Sequence, residues 1–365
     1  MKRNLILLLG AILVALVILE IVVRIFEIDH LSQQRDELRK GWVRVPEEVW
    51  TQYDSDLGWF HQKNKKIFPQ NKVWLNLNLT TNRDGFRGSR NYLRKRTAGV
   101  KRVLLLGDSF VFGWGVGDEE TFGAHLESNS QNLEAINLGV CAYGIDQILL
   151  SFQKLGRQFH PDYVFIGIYQ EDFWRATRAF TDAGYAKPYF SLSKSGNLEL
   201  HNVPSPKPFE LRSNQFPEVI YKHSAEKILL QSVLYRVIKK SILKVGRDLN
   251  LLDPSLTDEW FLGRVILHKL VQEIHSINAE PVILIIPPKD WLQNTKPTSL
   301  QKSLRRFAER EKVDLIDLTP AFSNLVSKFK LTDYYIKDDW HWTAQGHRLA
   351  AQILISYLKE KAYLS

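Results

Sequence analysis

Five short runs of almost purely apolar residues, at 103–106, 135–138, 163–168, 281–286 and 313–318, alternate with stretches of helical periodicity at 145–159, 258–277, 299–311 and 343–359. A strand that is apolar on both faces has to be covered on both faces. Strands of this kind separated by helices therefore predict a parallel sheet with helices packed above and below it. One long insertion, 173–257, interrupts the alternation. It carries a hairpin signal, with Ser195-Gly196-Asn197 as the turn, and then an amphipathic helical pattern over 225–243. Insertions at strand ends in such sheets often shape a substrate pocket.

Ahead of this body, Lys2 and Arg3 precede an apolar run from Leu5 to Val23 that is broken only by Gly10 and Glu20. A spanning helix needs about 20 apolar residues, and the run just reaches that length. The bulky text after it, EIVVRIFEI, offers no small-x-small cleavage site, so a retained signal anchor over 1–29 is expected rather than a cleaved signal peptide. The amino-terminal charges place the N-terminus inside and the body outside the membrane. Residues 30–100 read as a stalk and lead-in. A polar, partly helical piece leads into irregular structure, an alternating stretch over 73–79 suggests a strand, and Asp84-Gly85 supplies a turn.

Charge is concentrated in that lead-in. Between Lys63 and Arg102 twelve Lys or Arg face one acid, Asp84, whereas the formal net charge of the whole chain is +9. Such a stretch suits anionic lipid headgroups or an acidic glycan. A body outside the membrane makes nucleic acid an unfavourable partner. The single cysteine, Cys141, excludes an intrachain disulfide framework and a multi-thiolate zinc site. Walker, dinucleotide-binding and His-Glu-x-x-His motifs are absent, so neither a cofactor nor a metal is expected.

Two blocks carry chemistry. The first apolar strand runs directly into Gly107-Asp108-Ser109-Phe110 and a Gly-rich turn. A serine at the carboxyl end of a parallel strand sits where open α/β sheets place ligands, although it also serves as a helix cap. Its hydroxyl needs a base to become nucleophilic. Near the C-terminus stands Asp338-Asp339-Trp340-His341-Trp342-Thr343, just before the last helical pattern. A carboxylate three residues before an imidazole can orient it toward a nucleophile, which assigns Asp338 to His341. Asp339 and Asp333 are alternatives for the same role, Thr343 is an N-cap candidate, and His347 on the following helix reads as a capping or packing residue.

Together these blocks resemble the SGNH (GDSL-like) hydrolase family, over about residue 54 to the end. The resemblance implies a flavodoxin-like three-layer α/β fold with about five parallel strands, preceded here by a transmembrane helix. It makes Ser109 the nucleophile, His341 the base and Asp338 the acid. The block Asn137–Gly144 is similar to the family's second motif, with Ala142 where the oxyanion-hole glycine stands. In the third motif the family's Asn position is filled by Glu171, which as an ion cannot donate to an oxyanion. Gln170 could supply the amide after a one-residue shift, or the backbone of Ser109 and Ala142 could suffice. The lead-in text, Asp56-Leu57-Gly58-Trp59 and Asn82–Gly88, is similar to that of membrane-attached bacterial members.

The activity this implies is a membrane-anchored serine esterase acting on a small-molecule or glycan ester through an acyl-Ser109 intermediate. An O-acyltransferase with an envelope glycan as acceptor uses the same residues. A catalytically silent glycan-binding protein is the third reading, prompted by Glu171. Trp114 and Trp340 adjoin the two blocks and are candidates for substrate stacking, with Arg175 a candidate for an acidic substrate group. For Arg87 and Arg175 a plain surface position is the competing reading. Oligomeric state is not written in these motifs.

Overall fold

The computed structural model describes residues 14–22, 50–67, 77–129, 132–179, 186–193, 195–207, 258–293 and 296–364. Its centre is a five-stranded parallel sheet of β1 (Lys101–Gly107), β2 (Leu133–Gly139), β3 (Tyr163–Ile168), β4 (Glu280–Ile285) and β5 (Asp314–Asp317). The spatial order is β2-β1-β3-β4-β5, so the chain reverses direction across the sheet between β1 and β3. Ligands bind outside the carboxyl ends of strands at such a reversal.

Successive strand residues point to opposite faces, and the apolar core divides accordingly. Leu104, Leu106, Ile136, Leu138, Ile166 and Ile283 face one layer, while Val103, Leu105, Ala135, Phe165 and Leu284 face the other. The first layer contains α3 (Ile145–Ser151), α5 (Asp258–His275) and α6 (Ser299–Glu311). The second holds α1 (Ser109–Phe112), α2 (Phe122–Ser128), α7 (Thr319–Val326) and α9 (Ala344–Glu360). α4 (Glu171–Ala176), after β3, packs with the first layer, and α8 (Leu331–Tyr334), before the C-terminal site loop, packs against the second. Each fully buried Leu, Ile or Phe in these layers contributes about 1.5–3 kcal/mol.

The helix starts are written locally. Thr298 and Gln301 form a reciprocal capping box ahead of α6, and the Thr343 hydroxyl accepts the Gly346 N–H at the start of α9. The pattern at 145–159 is helical throughout but not uniform. After α3 it widens into a π-turn over Phe152–Gly156 and tightens into a 3₁₀ turn over Arg157–Phe159.

The lead-in is more ordered than its sequence suggests. Thr51–Asp54 and Gly58–His61 form an antiparallel hairpin whose turn is held by the Asp54 carboxylate accepting the N–H groups of Asp56 and Leu57 at 2.9 and 3.0 Å. Its strands are only four residues long and lack alternation, which hid them. Trp59, Phe60, Phe86 and Tyr92 join the same apolar core as the sheet. The lead-in arginines lie on acids. Arg83 and Arg94 meet Asp84, Arg90 meets Glu127 and Glu134, Arg96 meets Asp162, and buried Arg102 meets Glu134. Arg87 is buried rather than on the surface, 2.9 Å from Asp118 and stacked over Phe112.

In the insertion, Tyr189–Leu192 pairs with Leu198–His201 as the expected hairpin. Its base is tied to α3 by a buried ion pair between Lys187 and Asp146. The helical pattern at 225–243 and most of the apolar run Leu5–Val23 lie outside the described residues. Residues 14–22 are helical, with Val14, Leu16, Val17, Ile18, Leu19 and Ile21 exposed. Among the described residues no helix is long and apolar enough to cross a membrane.

Candidate active site

A cleft of about 460 Å³ opens at the carboxyl ends of β1, β2, β3 and β4. Ser109, Ala142, Gln170, Glu171, Arg175, Lys289, Trp340 and His341 line it. Five segments thus bring together residues separated by more than 230 positions in sequence.

Ser109 opens α1, a single turn capped by the Asp108 carboxylate, which accepts the Phe110 N–H at 3.0 Å. This turn lies flat across the strand ends because glycines make room beneath it. A methyl group on Gly139 would sit 2.3 Å from the Phe112 nitrogen, and one on Gly167 would sit 2.5 Å from the Val111 side chain. Ser109 itself is buried to 7% exposure.

The second block arrives on a tight hairpin. Tyr335 bridges Trp342, and the Ile336 N–H donates to the His341 carbonyl at 2.9 Å. The Asp339 N–H closes the turn on the Ile336 carbonyl at 3.2 Å, with Asp338 in the left-handed region at φ +59°. His341 Nε2 then lies 2.7 Å from Ser109 Oγ. The carboxylate on its other nitrogen belongs to Asp339, whose Oδ1 is 2.6 Å from His341 Nδ1 and also accepts the His341 backbone N–H at 2.9 Å.

This corrects the sequence reading by one residue. Asp338 occupies the turn, where its left-handed backbone makes the reversal, and Asp339 faces the imidazole. Asp333 instead caps α8 by accepting the Lys330 N–H. Burial works against the charge on Asp339, but hydrogen bonds from the His341 ring and backbone, with a contribution from the Trp114 side chain, outweigh it and hold its carboxyl down at about 2. His347 is a packing residue, stacked on Phe122 and edge-on to Trp342, and burial pushes its imidazole down to about 3.

Lys289 was not legible beforehand. Its ammonium donates to the Ile336 carbonyl at 3.1 Å and to the Asp339 carbonyl, gripping both ends of the turn. Tyr335 OH adds a bond to the Pro287 carbonyl at 2.8 Å. The segment after β4 therefore holds the His341 hairpin in place.

The third motif is built around Arg175. Its guanidinium contacts Asp108 at 3.0 Å, Asp172 at 2.9 Å and Glu171 at 3.0 Å, and donates to the Tyr143 carbonyl at 3.2 Å. Burial opposes its charge, yet these carboxylates hold it more firmly protonated than an ordinary arginine. Burial and the neighbouring Asp108 push Asp172 up. Arg175 is therefore not a plain surface residue: its guanidinium lines the cleft and is engaged by three carboxylates. The Glu171 carboxylate, half-exposed on the cleft wall, is neutralised by it, and Gln170 precedes it on the same wall.

Ala142 has φ +65°, the left-handed conformation that the family glycine would adopt without strain. Desolvation and the nearby Asp108 charge push the Cys141 thiol above its ordinary range, so it does not compete as a nucleophile at neutral pH. Trp59, Trp291 and Trp342 are core residues, while Trp114 lines the cleft and Trp340 stands 69% exposed at its rim. Among the described residues no group of His, Cys, Asp and Glu could hold a metal ion.

Residues 105–349 match the GDSL-like Lipase/Acylhydrolase family, about two thirds of the chain. The chain belongs to that family. It is an ester-bond hydrolase of the GDSL (SGNH) type, and the match begins within β1 and spans all the remaining strands of the parallel sheet. Similar solved structures include LAE5, an α/β hydrolase enzyme from the metagenome of Lake Arreo, Spain, at 15% identity. That likeness covers 74% of this chain and 98% of that one at a TM-score of 0.42. The psychrotrophic esterase EstA from Pseudoalteromonas sp. is 14% identical over 72% of this chain and 100% of its own, with a TM-score of 0.41. Axe2, an acetylxylan esterase from Geobacillus stearothermophilus, is 14% identical over 73% of this chain and 96% of its own, with a TM-score of 0.40. No curated protein matches the chain.

Proposed function

We propose that this GDSL hydrolase is a membrane-anchored serine esterase in which Ser109 is the nucleophile, His341 the general base and Asp339 the group that orients His341. The observation that carries the reading is the unbroken chain from Ser109 Oγ to His341 at 2.7 Å and from His341 to Asp339 at 2.6 Å. His341 takes the serine proton as Oγ attacks the ester carbonyl, then returns it to the departing alcohol, leaving acyl-Ser109. Water activated by His341 releases the acid. The backbone N–H groups of Ser109 and Ala142 receive the oxyanion, with the Gln170 amide as a third donor. The apolar exposed side chains of residues 14–22 support the anchor reading.

A fluorophosphonate applied to the full-length chain tests the nucleophile. The adduct is expected on Ser109 by mass spectrometry, and Ser109→Ala should abolish both labelling and ester turnover. Equal labelling of the variant would refute the assignment. The anchor is tested separately: the protein should fractionate with membranes and keep its N-terminal sequence, and a soluble product beginning near residue 25 would refute it.

Transfer to a glycan hydroxyl is the second reading, favoured by the exposed Trp340 indole at the cleft rim, a flat surface on which a sugar ring can stack. A chromogenic acetyl ester supplied with an envelope oligosaccharide separates the two. Hydrolysis predicts free acetate, and transfer predicts acetylated sugar with acetate at background.

A further inference from the structure

The alanine at position 142 poses a conformational problem. The Tyr143 N–H donates to the Val140 carbonyl at 3.3 Å, so Val140–Tyr143 is a β-turn with Ala142 third, at φ +65°. A positive φ at that position is what a type II turn requires, and it is normally filled by glycine. Alanine adopts it only against a steric penalty, so something outside the turn has to hold it there. Type I and type II turns differ by a flip of their central peptide. Here that peptide is Cys141–Ala142, whose N–H is the Ala142 oxyanion donor.

The other end of the same peptide is occupied. The Trp59 indole N–H donates to the Cys141 carbonyl at 3.1 Å. Trp59 is buried, its ring lies edge-on to Tyr143 at 5.4 Å, and the Tyr143 hydroxyl donates to the Trp59 carbonyl at 2.6 Å. Gln147 adds a bond from α3 to the Leu57 carbonyl at 2.7 Å. The hairpin that carries Trp59 is thus fixed against the second motif from several directions. Trp59 lies outside the family-matched residues 105–349.

We infer that Trp59 is a positioning residue of the active site: its indole N–H holds the Cys141–Ala142 peptide in the flip state that presents the Ala142 N–H to the oxyanion. The inference rests on the reading in which Ala142 is an oxyanion donor. It explains how alanine is tolerated where glycine is usual, because the tryptophan's bond offsets a steric penalty that glycine does not incur. A carbonyl already engaged also polarises its peptide, making the N–H at the other end a better donor.

The test is a double-variant cycle in the full-length chain, read with a chromogenic acetyl ester. Trp59→Phe keeps an aromatic ring and removes the donor. It should lower kcat about tenfold, less than the 10²–10³ lost with a whole oxyanion donor, and leave KM within about twofold. In an Ala142→Gly background, where the turn no longer needs outside support, the same change should cost only about two- to threefold. Benzothienylalanine at position 59, with sulfur replacing the indole N–H in the same shape, should reproduce the loss, and it decides the matter if Trp59→Phe does not fold. Unchanged kcat in a folded variant, or an equal loss in both backgrounds, would reduce Trp59 to a packing residue. Ser109→Ala is run in parallel. Loss of its turnover keeps the serine reading intact whatever Trp59 does, whereas retained turnover would overturn both.

Discussion

Asp339 binds His341 twice, through the ring at 2.6 Å and through the backbone N–H at 2.9 Å, so the acid and base of the site are two residues apart. One carboxyl oxygen fixes both the position and the tautomer of the imidazole. Asp339→Asn should therefore lower kcat by about 10³–10⁴, as the loss of a triad carboxylate does elsewhere. Asp338→Asn should change it less than threefold, because that side chain belongs to the turn. Since the Asp339 carboxyl is held at about 2, it is ionised throughout the working range, and the Asn variant should lose activity at every pH within it. The stabilising effect of this lowered value is present above the ordinary carboxylate range and disappears as pH falls through about 2. Initial rates for both variants between pH 5 and 9 check this.

Lys289 offers a second test of how the hairpin is held. Lys289→Met removes both bonds to the Ile336 and Asp339 carbonyls. The expected cost in stability is roughly 1–2 kcal/mol, at the low end for bonds to a charged donor because the site is half-exposed. The loss in kcat should be about tenfold, comparable in free energy, with Lys289→Arg intermediate. A melting curve and kcat measured on the same preparations separate the two effects.

Gly139→Ala should be damaging out of proportion to one methyl group. The added carbon would meet the Phe112 backbone nitrogen at 2.3 Å, and backbone cannot rotate away as a side chain can. About 1–3 kcal/mol of stability should be lost through overpacking, together with most of the fluorophosphonate labelling as the serine turn lifts. Retained labelling at full stability would show that the turn has slack.

Acid sensitivity should come partly from the core. Burial holds His61 at about 4 and His347 at about 3, below the ordinary histidine value near 6.5. Below pH 6.5 the unfolded chain takes up protons that the folded chain refuses. Stability therefore falls as pH drops toward 4, by about 1.4 kcal/mol per pH unit for each such histidine. His347→Phe should flatten part of that slope while keeping the stack on Phe122. Melting temperatures at pH 4.5 and 7.5 for the two proteins provide the check.

The sheet was legible because burial on both faces keeps β1 to β4 largely apolar, whereas the edge strand β5, Asp314–Asp317, is only partly buried and shows just Leu315 and Ile316 between two acids. Ser109 and His341 were legible because one follows a strand and the other precedes a helix with a clear pattern. The acid was misplaced because the choice between Asp338 and Asp339 depends on which of them takes the left-handed turn position, and two adjacent aspartates serve equally well there by propensity. Lys289 left no sequence signal, and Trp59 stood out only as part of the lead-in resemblance, without a role, since both act on backbone carbonyls, which have no side-chain identity to recognise. Arg87 and Arg175 read as surface residues for a related reason: a buried arginine is betrayed only by partners such as Asp118 and Asp108, far away in the chain.

The pinning of lead-in arginines onto acids of the body, Arg90 to Glu127 and Glu134 and Arg96 to Asp162 among them, has an evolutionary corollary. The two segments form one electrostatic lock with its key. A chimera that joined this lead-in to the body of another GDSL hydrolase would have to carry the matching acids with it, so the segments are expected to be inherited and to diverge as a unit.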